Sequence, residues 1–134
     1  AMHEKSLAID RRVNGDNHPE VATSYNNLGM VYDAQGQYSE AVAMYEKSLA
    51  IYRRVYGDNH PSVATSFNNL GSVYHAQGQY SQALPWFEKS LAIWLPLLGP
   101  NHPNVQTSYD WLVRVHEALG NKAEANKYRA RIKM

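Results

Sequence analysis

The sequence predicts an all-α chain, a solenoid of antiparallel helix pairs with about seven helices, forming a single array over residues 1–134. Three observations carry this. The segment Glu46–Phe87 is repeated on both sides of itself: Glu4–Tyr45 matches it at 31 of 42 positions and Glu88–Arg129 at 18 of 42. Within each copy the apolar residues return every three or four positions, which places them on one helical face. Each copy also carries the same punctuation, Asn-His-Pro before one helix and a glycine after it, as helix starts and stops require. A fixed period of this length marks stacked units that bury their apolar faces against neighbours.

In chain order, residues 1–17 read as the orphan second helix of a truncated repeat, about His3 to Val13, followed by a turn. Ala1-Met2 aligns with Ala43-Met44, so the chain reads as beginning inside a repeat of a longer array. Leu7 on that helix would then lie on an apolar stripe without its partner, a candidate for self-association. Residues 18–59 form the next repeat. Pro19 at the first helical position opens helix A, where Val21, Ala22, Tyr25, Leu28, Gly29 and Tyr32 share a face, and Gly36 closes it. Tyr38, Ala41, Val42, Tyr45, Leu49 and Tyr52 give helix B, running to about Tyr56. Residues 60–101 repeat the pattern from Pro61 to Gly78 and from Tyr80 onward. Pro85 predicts a slight bend, and Pro96 a kinked or shortened helix B, since an interior proline removes a hydrogen bond at about 3 kcal/mol. Residues 102–134 open at Pro103 and close with a polar helix, Asn121 to Met134, in which Asn126 and Arg129 replace Val42 and Tyr45. That substitution suits a terminal cap.

Composition narrows the function. A formal charge of +1, from 13 basic and 12 acidic residues, offers no positive field for a phosphate backbone or an anionic membrane, so neither nucleic acid nor membrane is expected as partner. The absence of cysteine excludes disulfides and thiolate metal sites. No apolar run reaches the ~20 residues that span a bilayer, and no secretion signal opens the chain. The expectation is a soluble, intracellular, cytoplasmic protein.

The residues also carry a resemblance. Tyr25-x-x-Leu28-Gly29-x-x-Tyr32 followed by Gly36-x-Tyr38-x-x-Ala41-x-x-x-Tyr45 resembles the tetratricopeptide repeat signature, and it returns as Phe67, Leu70, Gly71, Tyr74, Gly78, Tyr80, Ala83 and Phe87. The long period, with Gly-Asp-Asn-His-Pro and Asn-Asn-Leu-Gly, is similar to the kinesin light chain class of these repeats. The third unit departs from it at Val113, His116 and Lys122. The resemblance implies a right-handed superhelix whose concave groove is lined by the A helices, and a protein or peptide as partner.

At about 100° per residue, Thr23, Asn26, Met30 and Asp33 turn away from the core face of helix A. The same positions in the next unit are Thr65, Asn68, Ser72 and His75, and in the third Thr107, Asp110, Arg114 and Glu117. The resemblance implies that an asparagine at the place of Asn26 and Asn68 holds the backbone of an extended peptide, a task suited to an amide because it both donates and accepts. The first two units differ at only 11 positions, and Met30 against Ser72 and Asp33 against His75 are two of them. Drift on a solvent-facing surface explains these differences equally well. Asp110, Arg114 and Glu117 are spaced to pair with one another on the helix surface.

His18, His60 and His102 do not make a metal site. Stacked helix pairs at 8–10 Å per contact separate them by roughly 20 Å, against the ~2 Å a zinc ligand needs. A role in the turn before each helix fits better. The tyrosines and Trp86 fall at core spacing. Trp111, at the place of Asn27 and Asn69, has no account from sequence. No nucleophile elbow, phosphate-binding glycine loop or metal-spaced His-Glu pair is present, so no enzyme activity, catalytic residue or cofactor is expected. The function expected is a non-enzymatic scaffold binding an extended peptide. The alternative is a self-assembly module that swaps helices or stacks end to end.

Overall fold

The computed structural model describes residues 18–133. They form six helices: α1 Pro19–Ala34, α2 Tyr38–Tyr56, α3 Pro61–Ala76, α4 Tyr80–Leu98, α5 Pro103–Ala118 and α6 Lys122–Arg129. The orphan helix expected over His3 to Val13, with Leu7, lies outside the described residues. No helix among them is long and apolar enough to cross a membrane. The chain divides into two compact units between Ser66 and Phe67, within α3.

The punctuation works as the sequence implies. Proline occupies the first position of α1, α3 and α5, and the histidine before it caps the helix. His18 Nδ1 accepts the N–H of Glu20 at 3.1 Å, His60 Nδ1 that of Ser62 at 3.0 Å, and His102 Nδ1 that of Asn104 at 3.0 Å. A capped orphan donor contributes about 1 kcal/mol. The three histidines are thus helix-start residues. At the far end of α1, Gly36 adopts φ 75°, and the N–H of Gln37 folds back to Tyr32 O at 2.8 Å. Only the left-handed conformation that glycine tolerates permits that reversal.

In the first unit α1 and α2 pack antiparallel. Val21, Ala22, Tyr25 and Ile51 form the core, with Met44 and Tyr52 packed against it. Gly29 is what allows the close approach: a Cβ there would lie 2.7 Å from the Tyr45 ring. In the second unit Gly71 faces Phe87 in the same way, at 2.8 Å. Tyr32 and Tyr74, expected on the buried face, are half-exposed. Ser24, Ser66 and Ser108 are buried instead, and each hydroxyl donates to the carbonyl four residues earlier, which satisfies the polar group without a partner helix.

Two expectations are corrected. Pro96 does not shorten its helix: α4 spans 19 residues, as α2 does. Pro85 and Pro96 both lie on its exposed side, as do Ser81 and Ala92, whose carbonyls lose a donor. Water can serve those carbonyls, while Phe87, Leu91, Ile93 and Trp94 hold the buried side. The closing helix stops at Arg129 rather than running to Met134. Only Ala125 of α6 is buried, so little apolar surface extends the helix. The following residues turn back to Gln106, whose side chain accepts the Lys133 N–H at 2.7 Å.

Candidate functional site

The helix A face singled out from sequence is occupied unevenly. In the first unit, Thr23 Oγ1 donates to Pro19 O at 3.1 Å and lies 2.7 Å from Tyr52 Oη. With its own proton spent on Pro19, Thr23 receives that of Tyr52. Thr23 therefore fixes α2 against α1. One turn on, Asn26 is half-buried and its Nδ2 lies 3.9 Å from Met30 Sδ. Met30 itself is 53% exposed, among the largest apolar surfaces of the unit. Asp33 is half-buried at the end of the same stripe. Burial pushes its carboxyl above the usual range. Burial likewise pushes the Tyr45 hydroxyl far up, and the negative charge of Asp33 adds to it.

In the second unit the same register gives Asn68, Ser72 and His75. Asn68 Oδ1 is shut off from water and receives no hydrogen bond, an arrangement that costs about 1–3 kcal/mol. Ser72 is half-buried. His75 lies edge-on to two rings, Tyr80 and Trp111, each at 5.1 Å between centroids. Trp111 in turn stacks on Phe87 at 4.9 Å with the rings 12° apart. The Arg114 guanidinium lies 5.5 Å from the centre of this indole and pairs with Asp110 at 3.1 Å. Burial lowers the His75 pKa and the Arg114 charge lowers it further.

Of the residues expected on this face, His75, Asp110 and Arg114 thus come together around Trp111, while Asn26 and Met30 meet in the first unit. Thr65, like Thr23, donates to the carbonyl of the proline that opens its helix. Glu117 does not join Arg114; it bonds Arg129 of α6 at 2.8 Å. Trp111 is the residue of this cluster that the sequence leaves unplaced. Its signal was present, an indole where the other copies carry asparagine, but its stacking partner could not be read from one helix alone. Gln106 was missed altogether, although it stands where Ala22 and Ala64 are fully buried.

The His75 cluster makes a pH dependence testable. A histidine whose folded pKa lies below its ordinary 6.5 binds fewer protons folded than unfolded. Stability is then fully present above that ordinary value and falls as pH drops from there through the lower folded value. Thermal melting between pH 7 and 5 should therefore fall more steeply for the unaltered chain than for His75→Gln. Parallel curves would remove His75 from the account.

Comparison with known proteins places this geometry. The family model described as tetratricopeptide repeat matches residues 1–54, 35–95 and 62–130. Among solved structures, BtubC (BKLC) from P. vanneervenii is 26% identical at a TM-score of 0.90, covering 96% of this chain and 52% of its own. A kinesin light chain from Podosopora anserina with nearly identical TPR-like repeats is 31% identical at a TM-score of 0.76, covering 96% and 61%. A variant of that protein gives a TM-score of 0.77 at the same identity and coverage. The chain thus spans about half to three-fifths of the neighbours it matches. The curated proteins gave no match.

Proposed function

This chain belongs to the tetratricopeptide repeat family, in its kinesin-light-chain-like class, and on that premise we propose that its A helices bind an extended peptide of a partner protein. Repeats of this family are protein-interaction scaffolds; the peptide and the residues that hold it are the finer reading. The observation that carries it is Asn68, whose Oδ1 is buried without a donor. Turned outward, that oxygen would accept a backbone N–H while the amide nitrogen donates to a carbonyl, which recovers the cost of its present state. Asn26 is the matching amide in the first unit. It lies beside the exposed, polarisable sulfur of Met30, a flexible side chain that can repack against a peptide.

Around each amide the neighbours differ, Met30 and Asp33 in one unit against Ser72 and His75 in the other. A common backbone contact with different flanking side chains is how one scaffold takes a particular sequence. Helices already ordered before binding lose little entropy, so most of the ordering cost falls on the peptide. The small net charge supports a protein partner over nucleic acid or membrane, and the side chains on these faces support binding without catalysis.

The test begins with linear peptides selected from a random displayed library on the full chain, their affinities measured by fluorescence polarisation. The paired change Asn26→Ala with Asn68→Ala should weaken the selected peptides about 10–100-fold, since the lost backbone hydrogen bonds are together worth roughly 1–3 kcal/mol. The melting temperature should not fall, since Asn68→Ala also removes the buried oxygen that has no donor. Undiminished affinity in the double variant would sink the proposal.

A further inference from the structure

A second amide, outside the helix A stripe, already holds polypeptide backbone. Gln106 on α5 uses every part of its side-chain amide. Nε2 donates to Pro100 O at 2.7 Å and to Arg131 O at 3.3 Å, while Oε1 accepts the N–H of Lys133 at 2.7 Å. A carbonyl from one residue and an N–H from the second residue after it are what a neighbouring β-strand would engage in a parallel ladder. The bond to Pro100 fixes the amide plane, because one N–H is spent on the loop before α5 and leaves one donor and one acceptor facing the chain.

The surroundings fit the same purpose. Leu95, Pro100 and Tyr109 line a pocket together with Ala130, Arg131 and Lys133. The Arg131 guanidinium lies 5.7 Å from the centre of the Tyr128 ring of α6, whose centre is in turn 6.1 Å from that of Tyr109 on α5. The position is also chosen: the other two copies carry alanine here, and both alanines are fully buried. A glutamine introduced at a packing position normally exposes the core to a polar group. Here all three of its bonds go to backbone, so the substitution turns a packing position into a recognition position.

We infer that Gln106 and the Pro100 carbonyl form a peptide-backbone clasp, separate from the Asn26 and Asn68 faces, whose occupant is this chain's own Arg131–Lys133 segment. The segment is a latch held in cis across the pocket at Leu95 and Tyr109. The ligand class is main chain itself, read through one carbonyl and one N–H with no demand on the side chain between them, Ile132.

Amide hydrogen exchange on the full chain tests this. The Lys133 N–H should exchange at least tenfold more slowly than in an unstructured peptide of the same sequence. Gln106→Ala restores the residue that both other copies fold with, and Gln106→Met keeps the side-chain length without its hydrogen bonds. Each should return Lys133 to the free rate while the core amides of α5 stay protected. In parallel, tryptic cleavage after Arg131, whose carbonyl is the held one, should accelerate at least fivefold in both variants relative to cleavage after the exposed Arg53 and Arg54. Free-peptide exchange at Lys133 in the unaltered chain, or protection that survives both substitutions, would overturn the clasp.

Discussion

Phe87→Ala should destabilise the chain by about 3–5 kcal/mol, the cost of emptying a fully buried aromatic site. Phe87 has no exposed surface. Gly71 lies against one face of its ring and Trp111 stacks on the ring as well, so its removal opens a cavity among α3, α4 and α5. The stacked aromatic pair contributes beyond its area, about 0.5–1.5 kcal/mol. Urea unfolding followed by tryptophan fluorescence would measure both effects, because Trp111 is the partner left behind. A loss under 1 kcal/mol would mean that the neighbours collapse into the space.

The converse change, Gly71→Val, should cost at least as much as a typical overpacked core, about 1–3 kcal/mol or more. Even a Cβ would sit 2.8–2.9 Å from three atoms of the Phe87 ring, and the valine methyls reach further. The ring cannot retreat, since Trp111 backs it at 4.9 Å. The third copy shows the compensated version: Val113 occupies the glycine position, and Arg129, exposed and bonded to Glu117, occupies the aromatic one. Gly71→Val combined with Phe87→Ala should therefore be less destabilising than the sum of the two, by about 1 kcal/mol or more in a double-mutant cycle. Strict additivity would show that the two residues do not share one space.

Much of this was legible in the sequence because repetition multiplies weak signals. A single Asn-His-Pro says little; the same tripeptide three times at a period of 42 residues marks three helix starts, and the structure has α1, α3 and α5 begin there. Helix ends followed the glycines for the same reason. The failures over helix bounds occur where the third copy departs from the pattern. Pro96 was weighed as an isolated helix breaker, without regard to which side of α4 it occupies. No stop signal in the sequence ends α6 before Met134, whereas its stop at Arg129 reflects how little of it is buried and where the following backbone finds its donors and acceptors.

The candidate site was less legible, and for a physical reason. Helical spacing gives direction around one helix, which is enough to select Asn26, Asn68, His75, Asp110 and Arg114. It does not give what lies opposite. Thr23 shares that direction but is tied to Tyr52. Glu117 shares it but pairs with Arg129, and Trp111 is understood only when Phe87 and His75 are placed around it.

The fit between glycine and aromatic ring has a consequence for how such an array changes length. Gly29 meets Tyr45 and Gly71 meets Phe87, and in both cases the two halves lie inside one copy of the repeat. Key and lock are therefore inherited together. A copy can be duplicated, deleted or moved along the gene without separating the two, so the number of units is free to vary in evolution while the closest contact within each pair remains intact.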